Sequence, residues 1–154
     1  SSAASDVYKR QRHIYGPTAT RKDNRVSTVF VYNAADGKDI IMKSDGAQIR
    51  SYCYMLDCAS AILYVLLKGK KGEAYNIANP NSIMSIRELA EYLAKVGNVR
   101  LKFELPSQDE KKAFNPMNNS SLNSEKLCGL GWNGLFDAKF GLEHTVKIIK
   151  EVKI

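Results

Sequence analysis

Two spacings in this 154-residue chain match motifs that carry chemistry. Tyr64-Val-Leu-Leu-Lys68 sets a phenol and an amine one helical turn apart on one face, where the lysine can lower the tyrosine pKa and the pair can move a proton. Gly129-Leu-Gly131-Trp-Asn-Gly134 matches the G-x-G-x-x-G of dinucleotide-binding turns. Neither has the context its chemistry needs. A dinucleotide turn follows a strand and opens a helix, so that the pyrophosphate meets the helix N-terminus. Here a helix-forming stretch, Ser121–Leu127, precedes the glycines, and Leu135-Phe136 follow before a new cap. Tyr64 stands beside a Leu66/Leu67 stripe with no glycine-rich unit before it. A core aromatic with a snorkelling lysine is the plainer reading.

The remaining reactive side chains are sparse. Cys53, Cys58 and Cys128 are odd in number and form no C-x-x-C pair, which argues against a disulfide framework or a zinc ribbon. They read as buried, reduced thiols of a cytoplasmic protein. His13 and His144 are far apart and sit in no metal-ligand pattern. The formal net charge of +7 favours anionic partners without naming one. Its lysines are scattered (Lys68, Lys70, Lys71, Lys111, Lys112, Lys147, Lys150, Lys153) and no basic run alternates with aromatics, which argues against nucleic-acid binding. No apolar run reaches the roughly 18–20 residues that span a bilayer.

The elements that must position any site are short. Ser1–Gln11 is polar and aperiodic, and reads as a non-native or disordered tail, with the natural sequence entering in mid-domain near Arg12. Residues 12–154 are then one α/β unit. Val26, Val29, Phe30 and Ala34 predict a helix over Arg25–Asp36. Asp39–Lys43 and Gln48–Met55 predict strands, joined by a Ser44-Asp45-Gly46 turn. Asp57 is expected to cap a helix over Cys58–Lys68 whose inner face is Ala59, Ile62, Leu63, Leu66 and Leu67. Ala74–Ala78 predicts a third strand, and Asn79-Pro80-Asn81 a loop. Ser85-Ile-Arg-Glu88 is a capping box, opening a helix that runs to Val96 and closes at Gly97. Val99–Leu105 predicts a fourth strand, Pro106–Ser120 a polar loop, and Asp137–Val152 a final amphipathic helix.

The ordered series Tyr15-Gly16-Pro17, Arg25-Val26, Asp45-Gly46-Ala-Gln48-Ile-Arg50-Ser51-Tyr52-Cys-Tyr54-Met-Leu-Asp57, Tyr75-Asn76-Ile77-Ala78 and Leu130-Gly131-Trp132 resembles the extended short-chain dehydrogenase/reductases. Those are the NAD-dependent nucleotide-sugar epimerases, dehydratases and decarboxylases. The resemblance runs from about His13 to the end. It implies the C-terminal substrate-binding lobe of such an enzyme, with the NAD-binding Rossmann half and the catalytic Tyr/Lys pair lying N-terminal to His13. In the intact parent it implies transient oxidation of the sugar by NAD, and a possible homodimer through helices of the other half.

The resemblance also implies site residues. Arg50 matches the arginine of a D-G-x-Q-x-R strand that reaches the diphosphate, and Arg25 a basic position at the start of the lobe's first helix. Guanidinium forks suit phosphates. Ile41, Met42 and Lys43 match the strand along the nucleobase. His13 matches a position, often asparagine, that contacts the sugar nucleotide. Tyr15 belongs to the turn beneath the nicotinamide, the expected cofactor contact. Lys43-Ser44 departs from the aromatic and glycine that relatives often carry. The loop Ala113–Asn119 lacks a nucleotide-facing arginine. No residue of this chain is expected to carry the proton or hydride transfer. The competing readings are a free-standing module for a phosphorylated ligand and, on charge alone, a nucleic-acid-binding domain.

Overall fold

The computed structural model describes residues 13–104, 106–107 and 117–152. The expected tail Ser1–Gln11, Lys111, Lys112 and the start of the Ala113–Asn119 loop lie outside the described residues.

The elements run β1 (Ile14–Tyr15), α1 (Val26–Ala35), β2 (Ile40–Met42), β3 (Ile49–Ser51), β4 (Cys53–Tyr54) and α2 (Met55–Lys68). A 3-10 turn (Pro80–Ser82) leads to β5 (Ile83–Ser85), α3 (Ile86–Gly97), β6 (Leu101–Phe103), β7 (Asn119–Ser120), α4 (Glu125–Cys128) and α5 (Ala138–Val152). The strands form small sheets: β1 parallel to β4, β2 parallel to β6, and β3 between antiparallel β5 and parallel β7.

The main core lies where α1, α3 and α5 pack on one another. Leu89, Leu93, Leu142 and Val146 are buried there at helical spacing. The capping box forms as expected: Ser85 Oγ accepts from the Glu88 amide at 3.1 Å, and Glu88 accepts from the Ser85 amide at 2.7 Å. Gly97 does not close α3. It is the last helical residue, and Asn98, left-handed at φ 53°, is the cap. Gly97 is required because a Cβ there would fall 2.7 Å from the backbone of Ala34, where α1 and α3 touch.

Four further expectations change. The strand expected over Gln48–Met55 divides at Tyr52, because the ladder changes partner there. The Tyr52 amide donates to Ser82 at 2.8 Å, and the next amide, Cys53, donates to His13 at 3.0 Å. Asp57 is not a cap. The helix begins two residues earlier, at Met55, and Asp57 is fully buried in its first turn. There its carboxylate accepts from the Leu135 and Phe136 amides at 2.8 and 3.2 Å and from Asn79 at 3.0 Å. The expected inner face of α2 is outward: Leu66 and Leu67 are 77% and 80% exposed, while Cys58 and Ala61 meet the second core around Trp132 and Leu127. The periodicity is real, but no described element covers that stripe. Ala74–Ala78 buries Tyr75, Ile77 and Ala78, yet forms no strand and pairs with no described strand.

Candidate functional site

Six of the seven residues expected at the site border one cavity of about 770 Å³, within the size range of small-molecule sites. One wall is the first turns of α1, from Asn24 to Phe30. A second is the exposed edge of β2 and its exit, Ile41 to Ser44. A third is an extended segment whose alternate residues Gln48, Arg50 and Tyr52 share one face. His13, just before β1, and Ile86, opening α3, complete it.

The cavity explains α1. Val26 and Val29, two of the residues whose spacing predicted the helix, are 46% and 41% exposed because they line this space, while Val31, Tyr32 and Ala34 are buried behind them. In β2 the alternation of a strand sends Ile40 and Met42 inward and leaves Ile41 39% exposed.

The lining contains arginine, lysine and histidine and no carboxylate. Arg50 is only 5% exposed, and its guanidinium donates to the Ile49 carbonyl at 2.8 Å. It forms no ion pair among the described residues. A buried cation calls for an anionic partner, and four N–H groups remain to meet one. Arg25 is held differently. Its Nε donates to Asp23 at 2.8 Å and its Nη1 to the Ile14 carbonyl at 3.0 Å. The hydrogen bonds from Arg25 hold the Asp23 carboxyl below the usual carboxylate range, and burial opposes the shift. Arg25 is also the N-cap of α1, with no side-chain cap hydrogen bond. The amides that open α1 therefore lie along the cavity, where a helix start favours negative charge. On the far side the His13 and Tyr52 rings stand 5.7 Å apart, and burial pushes the Tyr52 phenol up to about 12.

Tyr15 is the seventh residue and lies outside this lining. It is 5% exposed, its hydroxyl donates to the Ala138 carbonyl at 3.2 Å, and burial raises its pKa. Its ring leaves room only for a glycine at Gly141.

The two motif matches have structural occupations. The Lys68 ammonium sits over the Tyr64 ring, 5.0 Å from its centre, rather than beside the phenol oxygen. In the glycine motif Gly131 takes φ +94° and Gly134 lies against Asn79. Between them Trp132 is buried and donates to Ser60 at 2.9 Å. Cys53 and Cys58 are buried free thiols. No group of His, Cys, Asp and Glu among the described residues could hold a metal ion, and no described helix is long and apolar enough to cross a membrane.

Sequence reasoning missed Asn24, Ser27, Ser44, Gln48, Tyr52 and Ile86 as cavity residues. The period-two series Gln48, Arg50, Tyr52 carried the signal for two of them.

The profile of the NAD dependent epimerase/dehydratase family matches residues 7–78, beginning inside the segment 1–11 expected to be a tail. Human dTDP-D-glucose 4,6-dehydratase is 31% identical over 153 residues, covering 94% of this chain and 41% of the relative. UDP-glucuronic acid decarboxylase 3 of Arabidopsis thaliana is 27% identical, covering 83% and 36%. In fold, the chain resembles the UDP-glucose 4-epimerase of Thermotoga maritima solved with UDP-glucose, with a TM-score of 0.76 at 22% identity over 92% of this chain and 45% of the other. It also resembles the dTDP-glucose 4,6-dehydratase of Bacillus anthracis solved with NAD, with a TM-score of 0.73 at 24% identity over 90% and 42%. The chain thus spans less than half the length of the relatives it matches. Profile, relatives and fold agree with the residue series set out above: the chain resembles the NAD dependent epimerase/dehydratase family, whose model it matches over residues 7–78.

Proposed function

We propose that this chain is the sugar-nucleotide-binding part of an NAD-dependent nucleotide-sugar epimerase, dehydratase or decarboxylase. The observation that carries the reading is the buried Arg50, without an ion pair among the described residues, in a cavity that also gathers Arg25, His13 and Ile41–Lys43. In this reading Arg50 and the start of α1 hold the diphosphate, with Arg25 at the rim. Ile41 to Lys43 run along the nucleobase. His13 and Tyr52 face the sugar.

The described residues do not fit NAD itself. The one glycine motif of dinucleotide type is packed against Asn79, and Tyr15 is committed to the core. The chemistry of NAD therefore belongs, in this proposal, to other parts of the parent enzyme, and the role of this chain is to bind and orient the substrate. Isothermal titration with UDP and with NAD tests this. UDP is expected to bind in the micromolar to millimolar range and NAD not to bind. Purified chain is expected to turn over no UDP-glucose in the presence of NAD. Failure to bind UDP, or NAD-dependent turnover by this chain, would overturn the reading.

A further inference from the structure

The series Gln48, Arg50, Tyr52 divides the cavity into stations. Alternate strand positions stand about 6.7 Å apart, so each residue faces a different part of a bound ligand. Tyr52 is beside His13 at one end. Gln48 is at the other, next to the turn that leaves β2: Gly46 donates to Ser44 at 3.3 Å, and the Ile86 amide donates to the Gln48 carbonyl at 3.0 Å. On the reading that Arg50 holds a diphosphate, Gln48 lies on the same side of it as Ile41–Lys43.

The side chain of Gln48 is unusual for its place. The residue is half-buried, yet its carboxamide oxygen is buried with no hydrogen-bond partner among the described residues. Buried amide oxygens are almost always paired, and one that is not calls for an explanation such as a ligand. A carboxamide offers donors and an acceptor, and a half-turn exchanges them. No hydrogen bond of this oxygen to a described residue fixes the choice.

We infer that Gln48 is a specificity-determining residue, whose carboxamide hydrogen-bonds the nucleoside portion of the nucleotide held by Arg50. This inference rests on the reading of the cavity given above. Its groups suit the edge of a base or a ribose hydroxyl, and deoxyribose lacks the 2′-hydroxyl.

The test is isothermal titration of the whole chain and of Gln48→Ala with UDP, dTDP and inorganic pyrophosphate. Gln48→Ala is expected to weaken UDP about five- to tenfold, the effect of losing one buried hydrogen bond, and to leave pyrophosphate unchanged. A matching loss with dTDP assigns the contact to the base or the 3′-hydroxyl, which both nucleotides carry, and a loss with UDP alone assigns it to the 2′-hydroxyl; both support the inference. Unchanged UDP affinity, or an equal loss with pyrophosphate, overturns it. If the unsubstituted chain binds none of the three, the cavity reading itself fails, which is distinct from tight binding that ignores Gln48. Gln48→Asn, which shortens the side chain by one methylene, serves if the alanine variant does not fold, and the same losses are expected of it.

Discussion

The Asn79 amide donates to the Asp57 carboxylate at 3.0 Å, and both residues are fully buried. Through this contact the first turn of α2 is tied to the segment before β5, and the Leu135 and Phe136 amides bind the same carboxylate. Removing the acceptor strands three donors at once. Asp57→Ala is therefore expected to lower stability by about 3 kcal/mol or more, read as a lower urea midpoint. Asp57→Asn, which keeps one acceptor oxygen, is expected to cost less. An unchanged midpoint for Asp57→Ala would mean that the contact is not structural.

Gly134 tests the same junction from the other side. A Cβ there would fall 2.2 Å from the Asn79 amide nitrogen, which is already engaged with Asp57 and the Phe136 carbonyl. Gly134→Ala is expected to destabilise by about 1–3 kcal/mol, as overpacking does, with UDP affinity unchanged. If this glycine served a dinucleotide instead, the variant would keep its melting temperature and lose a measurable NAD affinity.

These residues show where the sequence was legible. Capping box, helix periodicity and turn chemistry are local, so α1, α3, α5 and β2 could be placed from short windows. Arg50 and Ile41–Lys43 were found through the resemblance, and the fold then brought them together with His13 and Arg25. Asp57 was misread because its partners are far away in sequence: the Leu135 amide is 78 residues on. The α2 stripe was misread because periodicity reports an apolar face but not what covers it. Gln48 and Tyr52 needed the register of one strand, which a single arginine motif does not give.

Thiol chemistry gives a pH-dependent prediction. Burial pushes the Cys53 thiol up to about 12 and raises Cys58 as well. Both are expected to resist an aromatic disulfide reagent at pH 8 and to react after denaturation, while Cys128, half-buried, reacts first. The folded state holds the Cys53 proton more tightly than the unfolded chain, whose thiol titrates near 9. Its contribution to stability is thus complete below about pH 9 and is lost as pH rises toward 12. Thermal melts should fall over that window, and Cys53→Ala should flatten the fall. Rapid labelling of all three thiols at pH 8 would contradict the packing.

The outward face of α2 predicts a different outcome from the usual leucine truncation. Leu66 and Leu67 are 77% and 80% exposed, so their replacement removes little burial in this chain. Leu66→Gln with Leu67→Gln is expected to leave the melting temperature within a few degrees and to raise solubility by reducing exposed apolar surface. A large loss of stability would show that these side chains are covered in solution.

Arg50→Lys separates charge from geometry at the proposed diphosphate site. Lysine keeps the cation but not the planar fork, and it cannot present two parallel donors to neighbouring phosphate oxygens. It also reaches differently along the strand, and the hydrogen bond to the Ile49 carbonyl depends on the guanidinium. If Arg50 only neutralised charge, the lysine variant would bind UDP as the parent does. If it grips the diphosphate by its fork, UDP and pyrophosphate should both weaken about tenfold, corresponding to about 1.4 kcal/mol, while Arg50→Ala should abolish measurable binding of either. Arg25→Ala, by contrast, removes a residue already paired with Asp23 at the rim, and should cost several-fold at most. Equal effects of the two alanine substitutions would place the diphosphate between the arginines rather than on Arg50.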